Sequence, residues 1–517
     1  MNASPLGKDQ SSPPPLECVF HPGSIAVVGL SANVAGAWLN DCYIAPMLKM
    51  GYQGHIYVVN PKGGQIAGLP AYPSLQDVPG SVDYVISCIP AQQTPQLLEE
   101  CLSKGVKTVQ FYTAGFAETG EQEGIDLQRR LVETARRGGM RLVGPNCMGI
   151  YCPSSGLGFS LDFPPETGPI GLLCQSGGNT GYIVRSAAAR GLRFSKAVSY
   201  GNACDINECD LLDYLADDPD TKVIAAYIEG TTDGRRLMAS LARAASTKPV
   251  VVFKGGYTEG GGRATASHTG SLAGSDAVWS GFLRQVGAIR VYSVEEMTDM
   301  LVALLCMKPP RGTKCCAVGA GGGPSVLATD ECEQAGLQLP AIPPEIRERL
   351  KGLIPVAGSM LSNPIDVFPM VGMLQKRMVG QRDASSWEDL IPKLQVAPGD
   401  QGWGDLMVIL EDWPELGLVI FHHAFDGPPV PVSDWLINAL RPMIAAASLC
   451  KLPEAIVLHS VVNNNSWQVL LKAQQICQEA GQPVFLSMRG AALAIRRLIE
   501  FEGAHPGKVA RLQKSVG

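Results

Sequence analysis

One histidine stands in a run of small residues, Arg263-Ala264-Thr265-Ala266-Ser267-His268-Thr269-Gly270-Ser271-Leu272-Ala273-Gly274, and the glycines Gly260, Gly261 and Gly262 lead into it. The run reads as a loop and not as the buried face of a helix or strand. Small residues let backbone come close to a ligand, and the Ser and Thr hydroxyls add donors. An imidazole in that setting suits a nucleophile that must reach a phosphoryl group. A plain surface loop has the same composition, so the rest of the chain has to decide.

Two other segments offer what such a histidine needs. Glu229 follows the apolar run Ile224-Ala225-Ala226-Tyr227-Ile228 and precedes Gly230. A carboxylate at a strand end can hold the second ring nitrogen of a histidine and support its positive charge; the plainer reading is a solvated glutamate at a loop start. Gln175-Ser176-Gly177-Gly178-Asn179-Thr180-Gly181 lies between an apolar strand and a helix over Tyr182 to Arg190. The free N–H groups and positive dipole of a helix start attract anions, so Ser176, Gly177 and Gly178 are candidate phosphate ligands. A simple strand-to-helix turn capped by Ser176 is the alternative.

Toward the N-terminus the candidates are of another kind. Gly29-Leu30-Ser31-Ala32-Asn33 is too short for the G-x-G-x-x-G dinucleotide fingerprint, and Asn60-Pro61-Lys62 stands where an acidic ribose ligand would be expected. NAD is therefore disfavoured. Lys62 suits a phosphate, so coenzyme A fits better. Gly29, Ser31, Asn60, Pro61, Lys62, Ile89, Pro90, Ala114, Gly115 and Asn146 all fall at or just after strand ends. Cys147 has no histidine close in sequence to activate it and reads as a small packed residue. His422-His423 lacks a cluster of further ligands, and no Cys/His spacing fits zinc, so no metal site is expected.

These residues need a scaffold that brings strand ends together. Apolar runs over 24–30, 55–61, 82–90, 108–113 and 141–146 read as buried parallel strands, with helices between them such as Thr94 to Lys104 and Gln122 to Arg137. That alternation predicts a doubly wound α/β sheet with its ligand off the carboxyl ends. Two later segments look like copies of one unit. One opens at Gly171–Asn179 and closes with Lys248–Phe253; the other opens at Lys314–Pro324 and closes with Gln482–Leu486. The expected layout is a disordered leader (1–15), a Rossmann-like coenzyme A-binding domain (16–150), and a flavodoxin-like domain with the histidine loop (151–308). The linker Pro309-Pro310-Arg311-Gly312 follows, then a second flavodoxin-like domain (312–505) with an insertion near 372–404.

Bulk properties narrow the classes. At 517 residues the chain exceeds one core. With 46% hydrophobic and 17% charged residues it is globular. A net charge of −6 argues against a nucleic-acid binder, and no 18-residue apolar run suggests a membrane span. Fifteen scattered cysteines fit free thiols in a reducing cytoplasm.

The chain resembles the NDP-forming acyl-CoA synthetase superfamily, in particular the alpha subunit of ADP-forming acetyl-CoA synthetase and its relative, succinyl-CoA synthetase alpha. The resemblance rests on Ser267–Gly274, Val198-Ser199-Tyr200-Gly201-Asn202, Asp210–Leu215, Gly144-Pro145-Asn146-Cys147, Asn60-Pro61-Lys62 and Ser362–Val367. It spans roughly residues 16–365 strongly and 415–500 weakly. It implies that His268 becomes phosphorylated, that Glu229 orients it, that Ser176–Gly178 holds the phosphoryl group and that the first domain binds coenzyme A. The implied reaction joins a small carboxylic acid to coenzyme A at the expense of ATP with Mg²⁺, releasing ADP and phosphate. It also implies a separate ATP-grasp beta-type subunit, hence a hetero-oligomer, in the cytoplasm. After Ser31 the stretch Ala-Asn-Val-Ala lacks the family's usual basic and glycine residues, and the 372–404 insertion has no family counterpart. Two rival readings are a coenzyme A-binding scaffold without turnover and an acyl-phosphate/CoA transferase that uses no nucleotide.

Overall fold

The structure is a computed structural model. It describes residues 16–30, 34–269, 275–319, 321–357, 359–367, 401–423, 440–441, 443–448, 450–459 and 464–516, with side chains left out at 34–37, 266–269, 401 and 464–466. The leader 1–15, Ser31 and the 368–400 part of the expected insertion lie outside the described residues. The chain divides into two compact units, residues 1–294 and 295–517.

The first unit holds two sheets among the described residues. One contains β1 (Ser24–Val28), β2 (His55–Val59), β3 (Gln65–Ile66), β4 (Leu69–Tyr72), β5 (Tyr84–Ser87), β6 (Thr108–Phe111) and β7 (Arg141–Val143), in the order β3-β4-β2-β1-β5-β6-β7. All its pairings are parallel except the small β3–β4 hairpin. The strands β1, β5 and β6 are buried along their whole length, as parallel strands covered on both faces must be. The helix Gln122–Gly138 shows why the cover forms. Its buried residues Leu127, Leu131 and Ala135 recur every four positions, and it ends where Gly139 takes φ 65°.

The second sheet contains β8 (Gly149–Tyr151), β9 (Ile170–Cys174), β10 (Phe194–Ser199), β11 (Val223–Ile228), β12 (Val250–Lys254) and β13 (Ile289–Val291), in the order β13-β12-β11-β9-β10-β8. Only β8 runs antiparallel. The five parallel strands thus follow the 2-1-3-4-5 order of a flavodoxin-like sheet, which changes direction between β9 and β11.

The second unit repeats the pattern. Its sheet of β14 (Cys315–Gly319), β15 (Ile365–Asp366), β16 (Leu418–His423), β17 (Glu454–Leu458) and β18 (Val484–Phe485) runs β15-β14-β16-β17-β18, again 2-1-3-4-5 and parallel throughout. The duplication read from the two Gly-rich openings is therefore a duplication of topology. The α/β class, with a Rossmann-like sheet followed by two flavodoxin-like sheets, stands as expected.

Two local expectations differ. Residues Glu259–Thr269 form a helix, not a loop. The Thr258 hydroxyl accepts the Gly261 N–H at 3.1 Å, Glu259 pairs with Arg263 one turn on at 2.8 Å, and Thr265 is buried. These contacts outweigh the low helix propensity of Gly260–Gly262. The helix expected from Tyr182 instead starts at Gly177 and runs to Ala189. At the end of the expected insertion, Gln401 opens a helix that reaches Glu411.

Candidate active site

The direction change in the second sheet sets Gln175 beside Glu229. Gln175 follows β9, and its backbone N–H donates to the Tyr227 carbonyl at 3.1 Å. Its side-chain Oε1 accepts the backbone N–H groups of Glu229 at 2.8 Å and Gly230 at 3.2 Å. Both residues are buried, Glu229 to 4% exposure. Ser176 caps the next helix: its hydroxyl accepts the Asn179 N–H at 3.3 Å. Gly177 and Gly178 are the first two helical residues, so their N–H groups belong to the set that no helical carbonyl satisfies.

Ser176, Gly177 and Gly178 face a cleft of about 550 Å³ in the first unit. Ile89, Pro90, Ala114 and Asn146 line the same cleft from the first sheet. It therefore joins residues that sequence reading had assigned to two functions. Cys88, Tyr112, Thr113, Cys147, Met148, Gln175, Gly201 and Asn202 complete the lining. None of the lining residues carries a charged side chain, so an anion held here relies on N–H dipoles.

Gly29 abuts this wall. It takes φ 97°, and a side chain there would meet Ile89 at 2.7 Å. The Asn60 amide donates to the Leu30 carbonyl at 2.6 Å and accepts the Lys62 N–H at 2.9 Å. An asparagine at this strand end thus ties two loops together, which a ribose-binding carboxylate would not do. Pro61 and Lys62 are exposed at the neighbouring strand end, outside the lining.

Glu118 was not singled out from sequence. Its carboxylate accepts the Gly115 N–H at 2.5 Å and the Phe116 N–H at 3.1 Å, and it also takes the Asn202 amide at 2.5 Å. It thereby links the loop after β6 to the loop after β10. Gly201, at φ 55°, passes so close to Pro145 that a side chain would sit 2.1 Å from its carbonyl oxygen. The helix Glu259–Thr269 packs against the short turn Ala117–Thr119 that carries Glu118. The backbone of His268 is in that helix, while its side chain lies outside the described residues, as do Gly270 to Gly274.

The remaining candidates have quiet surroundings. Burial pushes the Cys147 thiol well above its usual range, and its Sγ lies 3.6 Å from the Phe111 carbonyl. Burial likewise pushes Cys88 up to about 12. In the second unit, burial pushes His422 down to about 3. Its Nε2 lies 3.4 Å from the Ser325 hydroxyl, and its ring meets His459 edge-on at 5.5 Å. Among the described residues, no group of three or more His, Cys, Asp or Glu could hold a metal ion, and no helix is long and apolar enough to cross a membrane.

Comparison with known proteins fits this geometry. Residues 23–153 match a CoA binding domain and residues 167–304 a succinyl-CoA ligase-like flavodoxin domain. The chain is 38% identical over 387 residues to the alpha subunit of ADP-forming acetate–CoA ligase I of Pyrococcus furiosus, covering 73% of this chain and 79% of that subunit. It is 40% identical over 353 residues to ADP-forming acetate–CoA ligase I of Archaeoglobus fulgidus, covering 68% of this chain but 50% of that protein. Among solved structures it resembles dinucleotide-forming acetyl-coenzyme A synthetase 1 of Ca. Korarchaeum cryptofilum in complex with phosphate and ADP. The TM-score is 0.73 at 27% identity, over 97% of this chain and 98% of that one.

Proposed function

Because the chain belongs to the ADP-forming acetate–CoA ligase family as an alpha-type chain, we propose that it joins a small carboxylic acid to coenzyme A through a phosphohistidine at His268. ATP and Mg²⁺ are handled by an ATP-grasp beta-type partner in a hetero-oligomer. One observation carries this reading most: the helix start Ser176–Gly178 and the strand ends of the coenzyme A-binding domain open into one cleft.

A carboxylate does not accept a thiol directly. The acid oxygen attacks the phosphorus of phosphohistidine, the P–N bond breaks, and an acyl phosphate forms while the imidazole returns to its neutral state. The sulfur of coenzyme A then attacks the acyl carbon, and the C–O bond to phosphate breaks. This chain contributes three things. Glu229, fixed by Gln175, accepts the ring N–H of His268 and steadies its charge. The Gly177 and Gly178 N–H groups take the phosphoryl oxygens. The uncharged walls formed by Tyr112, Cys147 and Met148 keep water from the acyl phosphate. The free thiols throughout the chain suit the reducing cytoplasm, where both substrates occur.

The test measures acyl-CoA and phosphate release with ATP, coenzyme A and a panel of acids, with and without a beta-type partner. Labelled ATP with the partner, or labelled acetyl phosphate with the chain alone, should yield an acid-labile, base-stable phosphoprotein. His268→Ala should abolish that label. Coenzyme A binding with no phosphorylation under any condition would favour the scaffold reading. Acyl transfer from acyl phosphate without a nucleotide requirement would favour the transferase.

A further inference from the structure

Residues 144–148 carry the chain from β7 of the first sheet to β8 of the second. The last of them, Met148, is half-buried and lines the cleft. A side chain added at Gly177, the first residue of the helix that Ser176 caps, would come 2.8 Å from the Met148 Cγ. One added at Gly178 would meet nothing within 4 Å. The helix start is therefore open beside Gly178 and closed by the methionine beside Gly177.

The backbone of Met148 is held at both of its polar groups. Its N–H donates to the Ser199 hydroxyl at 3.1 Å. Its carbonyl accepts the Gln110 amide at 2.9 Å and the Tyr43 hydroxyl at 3.4 Å. The side chain keeps three rotatable bonds and a polarisable thioether, which adapt to an apolar neighbour. A charged neighbour would find no counter-charge among the lining side chains.

A carboxylate oxygen that attacks phosphorus held at Gly177 and Gly178 approaches it to about 3–3.5 Å. The coenzyme A sulfur must reach the same acyl carbon from the wall of Ile89, Pro90 and Ala114. The tail of the acid is left between these two, where Asn146, Cys147 and Met148 line the cleft. We propose that Met148 is the specificity-determining residue for the acid: its thioether is the wall against which the acyl tail packs, admitting a short apolar tail and refusing a bulky one. The inference rests on the phosphohistidine reading above.

The experiment follows phosphorylation of the full chain by labelled acetyl, isobutyryl and benzoyl phosphate. Each rate is divided by that with labelled phosphoramidate, a phosphoryl donor without an acyl group. The imidazole nitrogen attacks phosphorus, the P–O bond to the acyl oxygen breaks, and the carboxylate leaves while the other ring nitrogen keeps its proton. Wild type should label from acetyl phosphate roughly tenfold faster than from benzoyl phosphate or better. Met148→Ala should raise the benzoyl-to-acetyl ratio by roughly tenfold to a hundredfold, with a smaller gain for isobutyryl phosphate. Met148→Leu, close in volume, should keep the wild-type ratios. A merely structural role would slow all donors together and leave the ratios as they were. Melting curves confirm that each variant is folded, and Met148→Val is read in place of Met148→Ala if the latter does not fold. Equal labelling of wild type by acetyl and benzoyl phosphate, or wild-type ratios in the truncated variant, would overturn the proposal. Absence of label from every donor, phosphoramidate included, would overturn the phosphohistidine reading itself.

Discussion

The side-chain oxygen of Gln175 receives the backbone N–H of Glu229 at 2.8 Å, so a residue at the end of one strand fixes the residue at the end of the next. A second bond to Gly230 completes the fork. Gln175→Leu leaves two buried N–H groups without an acceptor, each costing about 1–3 kcal/mol. The melting temperature should fall, and phosphorylation should slow by roughly tenfold or more, because Glu229 is no longer held. Gln175→Glu keeps an acceptor at the same place and should recover most of the labelling rate. Equal phosphorylation by wild type and Gln175→Leu would show that Glu229 holds its position without the fork.

What sequence alone reveals divides along physical lines. Buried parallel strands are short apolar runs, and their ends are marked by Gly, Pro and Asn, so the strands and candidate ligands could be read locally. The Ser176 turn and Glu229 could be proposed from sequence because strand ends point to sites in α/β sheets. The His268 segment was misread as a loop because three glycines dominate its composition, while the contacts that stabilise it, at Thr258, Arg263 and Thr265, are specific to its surroundings. Glu118 and Gln175 were missed for a different reason. Each acts across the register of two strands or between two loops, and a single chain read in order carries no signal of that meeting.

The carboxylate of Glu118 joins the Gly115 and Phe116 amides to Asn202 across the cleft. Hydrogen bonds to a charged acceptor contribute about 1.5–3 kcal/mol each. Glu118→Ala should therefore release the loop after β6, and the KM for coenzyme A should rise by roughly tenfold to a hundredfold. Phosphorylation of His268 by acetyl phosphate should change less, since the hydrogen bonds of Glu118 go to Gly115, Phe116 and Asn202 and not to the Ser176–Gly178 helix start. Unchanged KM for coenzyme A, with slowed phosphorylation, would place Glu118 on the histidine side of the cleft instead.

Lys196 and Asp218 form a buried ion pair away from the cleft, with Nζ 2.9 Å and 3.0 Å from the two carboxylate oxygens. Their side chains are 1% and 4% exposed. Burial raises the Asp218 carboxyl, but hydrogen bonds from Thr221 and Lys196 outweigh it and hold the group below 3.8. Burial lowers the Lys196 ammonium, but Asp218 outweighs it and holds the group above 10.5. The stability from Asp218 is present above its ordinary value and is lost as pH falls through the depressed one. The stability from Lys196 is present below its ordinary value and is lost as pH rises through the elevated one. Between those limits, Lys196→Met strands an uncompensated carboxylate and should cost about 3–5 kcal/mol, read by urea denaturation at neutral pH. Adding Asp218→Asn to it should recover part of that loss. A Lys196→Met protein as stable as wild type would show that the pair is not needed.

Phosphoryl transfer from ATP needs Mg²⁺ and cationic groups arranged around the triphosphate. Residues 1–517 contain no G-x-x-x-x-G-K-[ST] loop, and no charged side chain lines the cleft. The chain covers 79% and 76% of two alpha subunits of ADP-forming acetate–CoA ligases, but 50% of ADP-forming acetate–CoA ligase I of Archaeoglobus fulgidus. These facts support the proposal that another polypeptide supplies the donor site. Purified chain with ATP, coenzyme A and acid should form almost no acyl-CoA. Addition of an ATP-grasp beta-type subunit should bring turnover to ordinary enzyme rates, roughly 1–10³ per second. The same mixture with His268→Ala should stay inactive, which separates loading of this chain from any turnover by the partner alone. Acyl-CoA formed at those rates by the chain without a partner would place the ATP site within these 517 residues.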